Sequence, residues 1–242
     1  MKKKFAFTLA EVLITLGIIG VVAALTIPTL IQKYQKIVLV NQLKKAVSVV
    51  ENGFRKAMAD DGVDNLEDTS LFTEEGSIPF SGYRPTLRYN FDKYFKILKS
   101  NEYDTIPIHY KYLDGYRYEQ PPQYASIYLS DGVILYTAGL SRTANVNPSH
   151  CERLQSEGGT LCSTMGSISI DVNGEKGPNQ YGRDMFDFVL GSDGKLYPYG
   201  GKAASGTGSG HWKNSGGCNP AAARSGYYCA ARIIENGWVM DY

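Results

Sequence analysis

The chain opens on an almost unbroken apolar run. From Phe5 to Ile31 the residues are apolar or small, apart from Glu11, and Val12 to Ile31 supplies 20 consecutive uncharged residues. A membrane-spanning helix needs about 20. No small-residue cleavage site of the secretory type follows the run. Instead, Tyr34, Ile37, Val38, Leu43, Val47, Val50, Phe54 and Met58 recur at helical spacing, which predicts an amphipathic continuation of the same helix to about Asp60. Pro28, with Gly17 and Gly20 before it, is expected to kink or loosen the apolar half. Residues 61–124 show no sustained period and read as a partly structured connector, with a short helix near YNFDKYFKILKS. Alternation then takes over. SIYLSDGVILYTA reads as a hairpin about Asp131-Gly132, SISIDV as a strand, and MFDFVLGSDGKLYP as a second hairpin turning over residues 191–194. Residues 200–217 are glycine-rich and read as a flexible loop. Four or five antiparallel strands against the outer half of a long helix give an α+β fold.

Composition adds little and charge adds one thing. The 242 residues are 43% hydrophobic and 12% aromatic, enough for a substantial core. Basic and acidic residues nearly balance, 25 against 24, so no nucleic-acid surface is predicted. Lys2, Lys3 and Lys4 crowd the start, which keeps it cytoplasmic and sends the chain beyond about residue 32 outside. The chain is thus read as a leader over 1–6, an apolar helix over 7–31, its amphipathic continuation over 32–60, a connector over 61–124 and a β head over 125–242.

The first 30 residues or so, roughly an eighth of the chain, resemble the N-terminus of type IV pilins and the pseudopilins of type II secretion systems. The residues that carry the likeness are KKKFA-FTLAEVLITLGIIGVVAALTIP. The resemblance implies a long helix on an antiparallel sheet, removal of the leader between Ala6 and Phe7 by prepilin peptidase, and methylation of the Phe7 amine. Glu11 would be the fifth mature residue, and Pro28 falls where the family carries its proline. One departure is Ala6, where the family usually has glycine; alanine is the smallest replacement, so slower cleavage is the most it implies. The implied function is a non-enzymatic filament subunit, held in the inner-membrane bilayer and then assembled by a membrane platform with copies of itself or other pilin-like subunits. Its destination would be a pilus or a periplasmic pseudopilus. A membrane-tethered binding protein or adhesin that never polymerises is the alternative.

Glu11 separates these readings. A carboxylate in a lipid-facing helix is costly and so has a use. The resemblance gives it one: pairing with the Phe7 amine of a neighbouring subunit inside an apolar core, where low dielectric strengthens attraction. The local alternative is a carboxylate favoured by the helix N-terminus and reaching the headgroups.

Four cysteines, Cys151, Cys162, Cys218 and Cys229, follow the predicted span, an even number suited to disulfides in an exported head. Three pairings are open, and the short loops favour Cys151–Cys162 with Cys218–Cys229. Zinc is the rival, with His150 beside Cys151, but no CxxC occurs. In DVNGEKGPNQYGRDMFDF, Asp171, Asn173 and Glu175 alternate as calcium ligands do, with Asn179 and Asp184 further on. Against calcium, Lys176 stands where an EF-hand-type loop needs glycine, and an Asn-Gly turn explains the same residues. No other cofactor is indicated. His109, His150 and His211 lie in unrelated contexts, and no serine or cysteine sits in a nucleophile elbow. The tyrosines of HYKYLDGYRYEQPPQY suit either a sticky surface or packing on the head.

Overall fold

The computed structural model describes residues 8–71, 91–101, 109–118, 125–138, 140 and 148–242. The proposed leader and the bond between Ala6 and Phe7 lie outside them. Helix α1 runs from Leu9 to Asp61, 53 residues, with Pro28 inside it. The chain divides into two compact units, Met1–Val38 and Leu39–Tyr242.

The second unit is the head. Among the described residues six strands, β1 (Ile97–Asn101), β2 (Ala125–Leu129), β3 (Ile134–Ala138), β4 (Thr164–Asp171), β5 (Met185–Gly191) and β6 (Leu196–Pro198), form one sheet. They lie side by side in chain order, and every pair is antiparallel. The fold is therefore α+β and pilin-like in architecture. The sheet starts inside the stretch read as a connector: α2 (Phe91–Tyr94) is a single turn, and β1 follows it as an edge strand on β2. Pairing with β2 overrides the local helical pattern of KYFKILKS. The first hairpin turns over residues 130–132, with Gly132 at φ 89°, one residue more than the two-residue turn the Asp-Gly pair suggests.

Alternation along the strands sorts the side chains onto two faces. Ile127, Leu129, Leu135, Ile168, Ile170, Phe186 and Phe188 point inward and meet Val40, Leu43, Ala46, Val50, Phe54 and Met58 of α1. Helix α6 (Cys229–Glu235) adds Ala230 and Ile233 to this core. The opposite face carries Tyr128, Ile134, Tyr136 and Met185, covered by Tyr110 and Tyr181 with Tyr118 and Tyr227 beside them. The described part of the tyrosine-rich stretch, residues 109–118, thus packs on the head.

Two disulfides tie down the rest. Cys151, in α3 (Pro148–Ser156), bonds Cys162, and Cys218 bonds Cys229 at the start of α6. Residues 200–217 are built into the head and include α4 (Lys202–Ser205) and α5 (Trp212–Ser215). The reading of this stretch as a flexible loop is corrected here. The glycines make room rather than slack: a Cβ on Gly200 or Gly217 would meet the Tyr228 ring within 2.4 Å.

Helix α1 packs tightly at Gly53. A Cβ there would sit 2.3 Å from the Phe95 ring, which stacks on Phe91 at 5.1 Å and meets Phe54 edge-on. Alanine normally favours a helix over glycine by about 1 kcal/mol. Here overpacking wins, and we predict that Gly53→Ala destabilises the head by about 1–3 kcal/mol in denaturant unfolding. Unchanged or increased stability would contradict this packing.

Candidate functional site

The N-terminal stretch is built for an apolar surrounding. Leu9, Leu13, Leu16, Ile19, Leu25 and Leu30 are each at least 60% exposed, and α1 is long and apolar enough to cross a membrane. Two of its hydroxyls bond back to the helix itself. Thr15 Oγ1 donates to the Val12 carbonyl at 3.0 Å and Thr26 Oγ1 to the Val22 carbonyl at 2.9 Å. Such back-bonding is how hydroxyls are carried where water is absent.

Glu11 sits in a capping box. Its Oε2 accepts from the Thr8 backbone N–H and from Thr8 Oγ1, both at 2.8 Å, and Thr8 Oγ1 accepts in return from the Glu11 N–H at 3.3 Å. Thr8 and Glu11 are the S/T-x-x-E pair that closes a helix N-terminus. The spacing was legible in TLAE, although the sequence reading assigned Thr8 no role. Both Thr8 donors converge on Oε2, and among the described residues Oε1 accepts nothing. The arrangement can therefore cap the helix and still offer a carboxylate oxygen to a cation.

In the head, the residues singled out for calcium are placed apart in function. Asp171 is fully buried; Oδ1 accepts from the N–H groups of Asn173 at 3.1 Å and Gly174 at 2.7 Å. Its Oδ2 accepts from the Tyr110 hydroxyl at 2.6 Å, which lies 2.7 Å from the Tyr136 hydroxyl. Asp184, also buried, accepts from the N–H groups of Asn179 and Gln180. Glu175 is exposed and lies 3.9 Å from Lys99 Nζ. Among the described residues no three acidic, histidine or cysteine side chains gather as a metal-binding group. Asn173 Oδ1 is a buried acceptor without a donor, but one such oxygen does not make a site that needs six to eight. As placed, Asp171, Asn173 and Gly174 form an Asx-type turn closed by a buried carboxylate.

His211 lies in the loop before α5, with its side chain buried. It is 6% exposed; Nδ1 accepts the Lys213 N–H at 3.3 Å, so Nε2 carries the proton and donates to Glu235 Oε2 at 3.0 Å. Glu235 also accepts from Trp212 Nε1 and from the Lys202 N–H, each at 2.7 Å. Nothing in the sequence spacing connects Glu235 to residues 202–212.

In comparison with known families, residues 1–27 match the prokaryotic N-terminal methylation motif, the prepilin-type cleavage and methylation signature. No curated protein and no solved structure matches the chain.

Two predictions follow from the head. Burial pushes the Asp171 carboxyl up to about 7 against the donors that hold it down, burial likewise pushes Asp187 up to about 7, and it raises Asp184. The folded state therefore holds these protons more tightly than the unfolded chain does. Their contribution to stability is full below about pH 4 and is lost as pH rises through about 7. The melting temperature should fall between about pH 4 and 7, with a shallower slope in Asp171→Asn; a rise over that window would refute the assignment. Calcium and a chelator should give coincident melting curves, and a calcium-dependent increase would assign the ion to Asp171, Asn173 and Glu175.

Proposed function

We propose that the chain is a non-enzymatic structural subunit of a type IV pilus-like or type II secretion filament, and that its size makes it a minor pilin or a larger pseudopilin. The observation that carries this reading is the coincidence of three things in one stretch. Residues 1–27 match the methylation motif, the helix that follows presents an exposed apolar surface, and Glu11 is its one acidic residue before Glu51.

In this reading prepilin peptidase cuts between Ala6 and Phe7 on the cytoplasmic side of the inner membrane, and the Phe7 amine is methylated but stays charged. Before assembly the apolar helix rests in the bilayer with the head outside. On assembly the helix exchanges lipid for neighbouring helices, and Glu11 meets the Phe7 amine of another subunit. That the cap uses only Oε2 among the described residues supports this use. Removing one member of a buried pair leaves the other charge uncompensated, which is the source of selectivity.

The capping box gives the same carboxylate a purely local use, and one substitution separates the two. Glutamine serves a capping box as glutamate does but carries no charge. We predict that Glu11→Gln leaves membrane level and leader removal normal and strongly depletes the subunit from sheared filaments, in cells also making wild-type subunit. Thr8→Val, which loses the cap but keeps the charge, should incorporate better than Glu11→Gln. Equal incorporation of Glu11→Gln and wild type would refute the pairing.

Processing is checked separately. N-terminal sequencing and intact mass of the membrane fraction should give a mature chain starting at methylated Phe7, and Ala6→Gly should be processed at least as fast. An intact leader, or a cut beyond Ile31, would remove the basis for the filament reading.

A further inference from the structure

Lys202, Thr207, His211, Lys213, Asn214 and Glu235 line an open basin of about 430 Å³ on the head. Its size falls within the range of small-molecule sites. Its walls are fixed rather than loose. Glu235 anchors α4 and α5 through the Lys202 N–H and the Trp212 indole N–H. Asn214 Nδ2 donates to the carbonyls of Thr207 and Gly208 at 2.9 and 3.0 Å, and the Thr207 N–H donates to the Glu157 carbonyl at 2.9 Å.

The internal bonds leave a definite set of groups for a ligand. Glu235 is the one acid in the lining, and its two oxygens already accept three donors. Both ring nitrogens of His211 are engaged. The Lys202 and Lys213 ammonium groups have no carboxylate partner among the described residues; the Lys213 ammonium lies 5.3 Å over the Trp212 ring. Asn214 has spent its N–H donors on the loop, so its Oδ1 accepts, and Thr207 Oγ1 has spent its proton on the Glu157 carbonyl, so it accepts too. Two lysines and two neutral acceptors in one lining suit a ligand that is both anionic and rich in hydroxyl groups.

We propose that this basin binds a carboxylated sugar unit, a hexuronate, with its carboxylate on Lys202 and Lys213 and its hydroxyls on Thr207 and Asn214. A bare inorganic anion would leave the acceptors unused, and a neutral sugar would leave the ammonium groups unpaired. An open site of this kind binds weakly one unit at a time, so a polymer offering many units would gain by repetition wherever several heads stand together. The assignment does not depend on the chain polymerising.

The test is equilibrium binding to the full chain in detergent, using oligogalacturonate, a neutral maltooligosaccharide of the same length, and sulfate. Oligogalacturonate should bind saturably below about 10 mM, the neutral oligosaccharide should not bind, and equimolar sulfate should not displace the uronate. Lys202→Ala/Lys213→Ala should weaken binding by about tenfold or more, and Lys213→Glu should weaken it further, because it places a negative charge against the carboxylate. Arg55→Ala/Lys56→Ala, which removes the same charge from α1, should leave binding unchanged, with all variants melting as wild type does. The proposal is overturned by equal binding of neutral and carboxylated sugars, by full displacement with sulfate, by unchanged binding in the basin variants, or by no saturable binding in that range.

Discussion

The head depends on one contact, the face of α1 from Val40 to Met58 laid against the inner side of the sheet. Each large apolar side chain buried there contributes about 1.5–3 kcal/mol relative to exposure. Small residues make the approach possible: Ala46, Gly53 and Ala57 are buried on the same helix face as Leu43, Val50 and Phe54. Phe54 meets Phe91 and Phe95 edge-on, which brings the chain after the helix into the same core. Glu51 extends the contact at the edge of the sheet, where it accepts the Leu196 N–H at 3.0 Å.

Because the other face of the sheet is also covered, its polar positions cannot face open water. Asp171 stands at the end of β4 under the tyrosine layer, and Ser169 and Asp187 bond to each other across β4 and β5. An unpartnered carboxylate in such a place would be costly, and each is supplied with donors from a turn or a neighbouring hydroxyl. The alternation of DVNGE therefore has a structural origin. Asp171 closes a turn with the N–H groups of Asn173 and Gly174, while Glu175 faces away into solvent.

Much of the framework was legible because it is written in periods. The long helix, both hairpins and the strand SISIDV follow from spacing of three to four or of two, and the short loops between cysteines pointed to the bonds seen at Cys151–Cys162 and Cys218–Cys229. What escaped was set by tertiary contact. Leu43, Val50, Phe54 and Met58 carried the helical stripe, but Tyr34 and Ile37, read into the same stripe, are exposed, and Ala46 and Gly53 carry no hydrophobic signal of their own. β1 owes its form to β2. The ordering of residues 200–217 rests on Glu235, more than twenty positions beyond the residues it holds, a relation no local pattern encodes. The methylation motif itself was readable because it is contiguous, whereas the basin is assembled from two short helices and the end of a third.

The strand order carries a consequence for how the head forms. Since β1 to β6 lie in the order in which they are made, each new strand finds its partner already waiting beside it, with no earlier strand to displace. Sheets of neighbours in sequence form quickly, because little chain entropy is lost in closing each loop. A chain delivered from its N-terminus outward can thus grow its sheet in step with delivery. The Glu51–Leu196 bond, 145 residues apart in sequence, can close only when the last strand arrives.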